Sequence, residues 1–416
     1  MRILMTEGAG LTSRQVATRL DALGHHVEVV VSDPICMARF TRHVRALHRV
    51  CDFGMDPLAW FAELLAVADH AGIDVVFPTQ EQVTVLSHQL PRLQAAGLAT
   101  AVPPFAALLR VQDKLSALRT LRGLDILQPR TVVAQDADDV LGWTSFPAFV
   151  KAPVGTGSHG VRRVTDHSEL RIAVQHFIDT GSLRDGGVLV QEAVLGTFVM
   201  AQCVFDAGSL VAYHANERVR EGTNGSASAK VSVDVPALRD ALERLGRQLQ
   251  WHGALSVDAI VSEGQPFVID VNPRLVEPGN AMAAGTDLVG ALLAVASGRY
   301  VAPAPPSRSG ARTHQLLMAI LGAAQHTGRR RNVLRELLHA AARRDVYAGS
   351  VEELMPWRHD RRTVILPLAA AVATLVRPGF WRFFTDGAVN RYALAPEGWR
   401  QLQSTPPLPE LTGAAA

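Results

Sequence analysis

The stretch Val268-Ile-Asp270-Val-Asn272-Pro-Arg274 decides how this chain is read. It is an apolar run whose end carries an acid, an amide and an arginine at alternate positions, so an extended backbone presents all three on one face. The preceding apolar run, residues 255–261, carries Asp258, and Glu263-Gly264 is the tight turn that lays the two strands side by side. Asp258 and Asp270 then converge. Two carboxylates and an amide oxygen form a hard donor set of the kind Mg²⁺ uses when phosphate oxygens and water complete its shell. Arg274 adds a guanidinium fork for a phosphoryl or carboxylate group. Alone, acids at strand ends are simply solvated; the companions upstream turn these into a candidate site.

The first companion is Lys151-Ala-Pro-Val-Gly155-Thr-Gly157-Ser158-His-Gly160, a lysine at a strand end running into a loop with three glycines. Such a loop lets backbone N–H groups approach phosphate oxygens without side-chain obstruction. The GxxxxGK[ST] pattern is absent, which excludes a P-loop. The second is Val190-Gln191-Glu192-Ala-Val194-Leu-Gly196, where an acid at a strand end either meets solvent or accepts from an adenine amino group. The third is Asp113-Lys114 at the start of a short helix over 113–122, a surface lysine on its own.

Taken in order, these segments resemble the ATP-grasp superfamily of carboxylate–amine and carboxylate–thiol ligases, the carbamoyl-phosphate-synthase-like and biotin-carboxylase-like proteins among them. The resemblance covers roughly residues 1–300 and includes Val76-Phe-Pro78-Thr-Gln80-Glu81, similar to that family's strand-end segment. It implies that Lys114 and Lys151 hold the ATP phosphates under a loop formed by Gly155, Gly157, Ser158 and Gly160. It implies that Gln191, Glu192 and Val194 line the adenine side, and that Asp258, Asp270 and Asn272 bind Mg²⁺ (or Mn²⁺). Arg274 would stabilise the transferred phosphoryl group, with Lys151 as its catalytic companion. The family usually carries Glu where Asp270 stands, and an acid where Phe198 stands. The implied activity is ATP-dependent activation of a carboxylate as an acyl phosphate and its coupling to an amine, releasing ADP. Arg218 and Arg220, which share a face if extended, either bind a substrate carboxylate or phosphate or belong to a solvated loop. Two other readings stay open: a carboxylase that activates bicarbonate, and a non-catalytic ATP-binding protein associated with membrane.

The implied fold is α/β and α+β: a Rossmann-like domain over 1–105, an ATP-grasp domain over 106–300 with a lid at about 125–190, and a mostly helical extension over 301–416. Apolar runs at 2–6, 27–31 and 74–78 separated by helical spacings fit the first domain, with Thr12 or Ser13 capping its first helix. Its Gly8/Gly10 turn is an incomplete dinucleotide fingerprint, since Ser13 stands where the third glycine belongs; a scaffold with a substrate-facing edge is the better reading. Leu238, Leu242, Leu245 and Leu249 mark an amphipathic helix, and the proline-rich 301–306 marks a linker.

Composition narrows the partners. With 41 basic and 39 acidic residues the formal charge is +2, too even to draw nucleic acid. Cys36, Cys51 and Cys203 lie far apart without metal or disulfide spacing, and no secretory leader is read at the start, so a reduced cytoplasmic setting is expected. Cys203, on an apolar strand, reads as packing and not as a nucleophile. Homodimers are common in the resembled family. Residues 363–376 (TVILPLAAAVATLV) are uncharged and flanked by Arg361, Arg362, Arg377 and several aromatics. They read as a buried helix broken near Pro367, or as a peripheral membrane contact through 363–384.

Overall fold

The computed structural model describes residues 1–155, 160–183, 186–355, 359–390 and 392–406, with side chains outside 386–390. Four short parallel strands open the chain: β1 (Arg2–Met5), β2 (His26–Val31), β3 (Ala46–Arg49) and β4 (Val75–Phe77), ordered β3-β2-β1-β4. Parallel strands covered on both faces must be apolar throughout, and β1, β2 and β4 are buried almost end to end. The first helix, Leu11–Ala22, starts from Gly10 without a side-chain cap. The expected cap fails because Ser13 donates instead to Glu7, whose carboxylate also accepts from the Ala9 and Gly10 amides at 2.7 and 3.0 Å.

A second, antiparallel sheet of β5 (Thr131–Ala134), β6 (Ala148–Lys151), β7 (Val161–Val164) and β8 (Val188–Glu192) is ordered β5-β8-β6-β7. The helix His167–Asp179 seals one face of it with Leu170, Val174 and Phe177.

The central sheet runs β13-β12-β9-β10-β11-β14-β15, built from β9 (Thr197–Asp206), β10 (Ser209–Glu221), β11 (Ala227–Val233), β12 (Gly253–Ser262), β13 (Gln265–Asn272), β14 (Arg312–His314) and β15 (Val351–Glu352). Its last two strands come from the segment read as a helical extension. Strands of two or three residues carry no periodicity, so only the sheet edge they complete reveals them. Beyond 301 the chain packs back on both earlier units: Trp399 and Leu402 enter the core of the first sheet, and Leu317 and Ala370 pack together beside Leu354. The helix Ile365–Val376 is unbroken. Pro367 sits in its first turn, where a missing N–H costs no intrahelical bond.

One face of the central sheet is dry. Ala201, Cys203 and Phe205 of β9 and Leu255 and Val257 of β12 lie under the helix Pro236–Leu249, whose Leu238, Leu242, Leu245 and Leu249 are at most 5% exposed. Each such leucine contributes about 1.5–3 kcal/mol through burial. A Cβ on Gly246 would stand 2.1 Å from the Phe205 ring, so only glycine lets helix and sheet approach this closely. Alternate residues of the same strands face the other way: at one end Gln202, Ser256 and Asp258 are polar, while Val204 and Ala254 join the core under the first sheet.

Candidate functional site

The polar face of the central sheet gathers the acids. Asp258 of β12 is paired in antiparallel register with Asp270 of β13, and Ser256 with Asn272, so the side chains share one face. A regular strand would then send Val268 to that face too. The register instead steps from Asp258↔Asp270 to Ala259↔Val268, leaving Ile269 as the extra residue of a bulge. This step turns Val268 into the dry core while Asp270 stays on the polar side. It also leaves the Ile269 carbonyl in place to accept from Lys151 Nζ at 3.0 Å.

Burial and the neighbouring Asp270 carboxylate push Asp258 up to about 7, with Arg274, Lys151 and Arg218 pulling the other way. An acid pair held at this cost favours a cation between its members. Among the described residues no three His, Cys, Asp or Glu side chains form a complete metal cage. Two carboxylates with the Asn272 amide make a partial oxygen shell, which suits an ion that keeps phosphate and water in its other positions.

The two lysines meet this pair from the lid side. Lys114 begins the helix Lys114–Gly123, capped by Asp113, whose carboxylate accepts from Ser116 N and Oγ at 2.8 Å each. Its Nζ lies 3.7 Å from Asp270 Oδ1 and donates to the Gly155 carbonyl at 3.3 Å. Lys151 ends β6 and is 7% exposed. Desolvation draws its ammonium down to about 8, against the opposing pull of Asp270. Gln191 holds it, accepting at 2.7 Å while donating from Nε2 to Thr131 at 3.0 Å. The adjacent Glu192 is half-buried at the end of β8, with Val194 half-buried just after it. Gly160 has φ +79°, open to glycine at little cost, and its carbonyl accepts from Ala152 N at 2.8 Å. Gly157 and Ser158 lie outside the described residues.

Arg218 and Arg220 do not share a face. β10 continues as a strand through Glu221, and a second bulge between them skips Val219. Arg218 stacks on Phe198, 4.5 Å from its ring centroid, and lies within the field of Asp258. Arg220 turns away to Glu336 at 2.5 Å, Tyr347 Oη at 3.0 Å and Asp345 at 3.5 Å, tying β10 to the C-terminal segment.

Arg274 was expected at this face, whereas Gln202, Asn216 and the Lys230 cluster escaped the sequence reading. Arg274 is 8% exposed, with Nη2 3.9 Å from Glu81 Oε1, but its Nε has no partner. Gln202 and Asn216, 0% and 2% exposed, each hold an amide nitrogen without an acceptor. Asn216 is opposite Met200, and Gln202 is opposite His214, so the two amides are diagonal neighbours on one face. Beside them the fully buried Lys230 pairs with Glu277 at 2.5 Å and Glu353 at 3.2 Å, with Gln315 donating to both carboxylates. The signal available was a Gln in the apolar run MAQCVF and an Asn in AYHANE, because buried amides need a reason.

A family model for the ATP-grasp domain matches residues 111–278. The carbamoyl phosphate synthase large chain of Caldanaerobacter subterraneus subsp. tengcongensis is 23% identical over 241 residues, 55% of this chain. The chain spans only 22% of that relative's length. Among solved structures, N5-carboxyaminoimidazole ribonucleotide synthetase of Thermus thermophilus aligns with a TM-score of 0.56 at 18% identity, covering 74% of this chain and 81% of that one. The biotin carboxylase domain of Hydrogenobacter thermophilus 2-oxoglutarate carboxylase, a dimer in complex with MgADP, ADP and bicarbonate, aligns at 0.58 and 14% identity, covering 74% and 73%. At these identities the likeness is one of fold. The family model spans the lysines, the glycine loop and the acid pair, so residues 111–278 are an ATP-grasp domain.

Proposed function

We propose that the protein is a Mg-ATP-dependent, ADP-forming ligase that activates a carboxylate as an acyl phosphate and joins it to an amine. The observation that carries this reading is the cross-strand pair Asp258/Asp270, with Asn272 alongside, facing Lys114 and Lys151. Asp258, Asp270 and Asn272 would hold the divalent cation, whose charge offsets that of the polyphosphate. Lys114 and Lys151 would neutralise phosphate oxygens, and Gln191 fixes Lys151 in place. Arg274, Gln202 and Asn216 present donors with no internal acceptor, which fits a carboxylate whose oxygens still need partners. The carboxylate oxygen attacks the γ-phosphorus in line as the bond to the ADP oxygen breaks. The amine nitrogen then attacks the acyl carbon, and phosphate leaves.

A second reading has bicarbonate as the carboxylate, favoured by the bicarbonate in the H. thermophilus relative. One experiment tests both. The protein is incubated with Mg-ATP and a carboxylate-plus-amine library, with and without bicarbonate, and ADP and condensed products are followed by mass spectrometry. ADP with an amide supports the first reading, and bicarbonate-dependent ADP release supports the second. No ADP under any condition contradicts both.

A further inference from the structure

We infer that the C-terminal helices form a docking surface for an anionic lipid bilayer, independently of the ligase reading. The helix Ile365–Val376 turns Pro367, Ala370, Ala371 and Thr374 inward, at the spacing of one helical stripe. A helix lying on a globular surface ordinarily places polar residues opposite such a stripe. Here the opposite side is apolar as well: Ile365 is 47% exposed, Leu368 60%, Val372 56% and Val376 61%. The exposed series continues past the helix end into Phe380 at 43% and Phe383 at 78%. Arg361, Arg362, Arg377 and Arg382 are exposed along the same segment, and residues 361–384 contain no Asp or Glu.

This charge pattern selects the occupant. A second copy packed on the same face would bring arginine against arginine, whereas an anionic lipid surface is complementary to all four. The helix cannot span. Among the described residues no helix is long and apolar enough to cross a membrane, and twelve residues reach only about 18 Å against a hydrocarbon core of about 30 Å. A short, all-round apolar helix with arginines and phenylalanines at its flanks instead lies in the headgroup boundary, its outer stripe in the acyl region and its arginines among the phosphates.

The test is co-sedimentation of the full chain with vesicles of phosphatidylcholine alone or mixed with phosphatidylserine, at low and high salt. Binding to the phosphatidylserine vesicles that weakens with salt is expected. Leu368→Asp with Val372→Asp, both at exposed positions, should reduce partitioning about tenfold or more. Arg377→Gln with Arg382→Gln should reduce it about fivefold per arginine. A thermal melt and ATP binding confirm that each variant is folded. Failure of the wild type to sediment, or equal binding to uncharged vesicles, overturns the inference. So does self-association in light scattering that Leu368→Asp abolishes without any vesicle binding, which would assign the face to a second copy.

Discussion

The two faces of the central sheet have the same strands, the same hydrogen bonds and opposite chemistry. Under the helix Pro236–Leu249 the buried side chains are apolar apart from the Tyr213 hydroxyl, which donates to the Val235 carbonyl, and Gly246 lies against the Phe205 ring. On the other face two carboxylates are paired across strands, a lysine is desolvated, and buried donors on Arg274, Gln202 and Asn216 lack acceptors. The dry face minimises free energy of the protein alone. The polar face holds its like charges and unpartnered donors at a cost, which is what the proposed binding of a cation and a phosphate would offset.

The largest effect should come from breaking the acid pair. Asp258→Asn is expected to lower turnover, measured as ADP release, by about a thousandfold, equivalent to about 4 kcal/mol. Its melting temperature should hold or rise, because the substitution removes like-charge repulsion with Asp270. Phe205→Ala on the dry face should do the reverse, lowering unfolding free energy by about 3–5 kcal/mol in urea titration while the folded fraction still binds ATP. If Phe205→Ala abolished ATP binding in fully folded protein, the two faces would not be separable.

The covered end of the polar face should be a stability element, and pH separates it from the open end. His214 is fully buried, with Nε2 3.0 Å from Asn280 Oδ1, and desolvation draws its imidazole down to about 4. The native state refuses a proton that the unfolded chain accepts below about 6.5. His214's contribution is therefore intact above that pH and lost progressively toward pH 4, by up to about 3 kcal/mol. Glu352, raised by burial to about 7, acts in the opposite sense, so the comparison must be with His214→Gln. That variant should lose less stability between pH 7 and 4 than the wild type in parallel urea titrations.

A smaller effect is predicted at Gln191. Replacing it with Leu removes the side-chain acceptor of Lys151 without touching the lysine, and should raise KM for ATP about tenfold with the fold unchanged. A normal KM would mean that Ile269 alone positions Lys151.

Much of this contrast is legible in the sequence. Apolar runs gave away β1, β2 and β4 but not β3, whose Ala-Leu-His-Arg has no such run, and alternate spacing put Asp270, Asn272 and Arg274 on one expected face. The bulges at Ile269 and Val219 were not legible. Each inserts one residue and flips the facing of everything beyond it, which is how Arg220 came to face Glu336 instead of Arg218's neighbours. The Lys230–Glu277–Glu353 cluster was hidden for another reason: its members lie 47 and 123 residues apart, and no local pattern encodes that meeting. Asn216 and Gln202 were visible as polar residues in apolar strands, but only the fold shows them to be buried and unpaired.

Calorimetric titration of ATP, with and without magnesium, into the wild type and an Asp258→Asn/Asp270→Asn double variant tests the polar face most directly. The wild type should bind ATP at least tenfold more tightly when magnesium is present, and the double variant should lose that enhancement while keeping the weak metal-free binding through Lys114 and Lys151. Equal magnesium enhancement in both proteins would contradict the assignment of the cation to this acid pair.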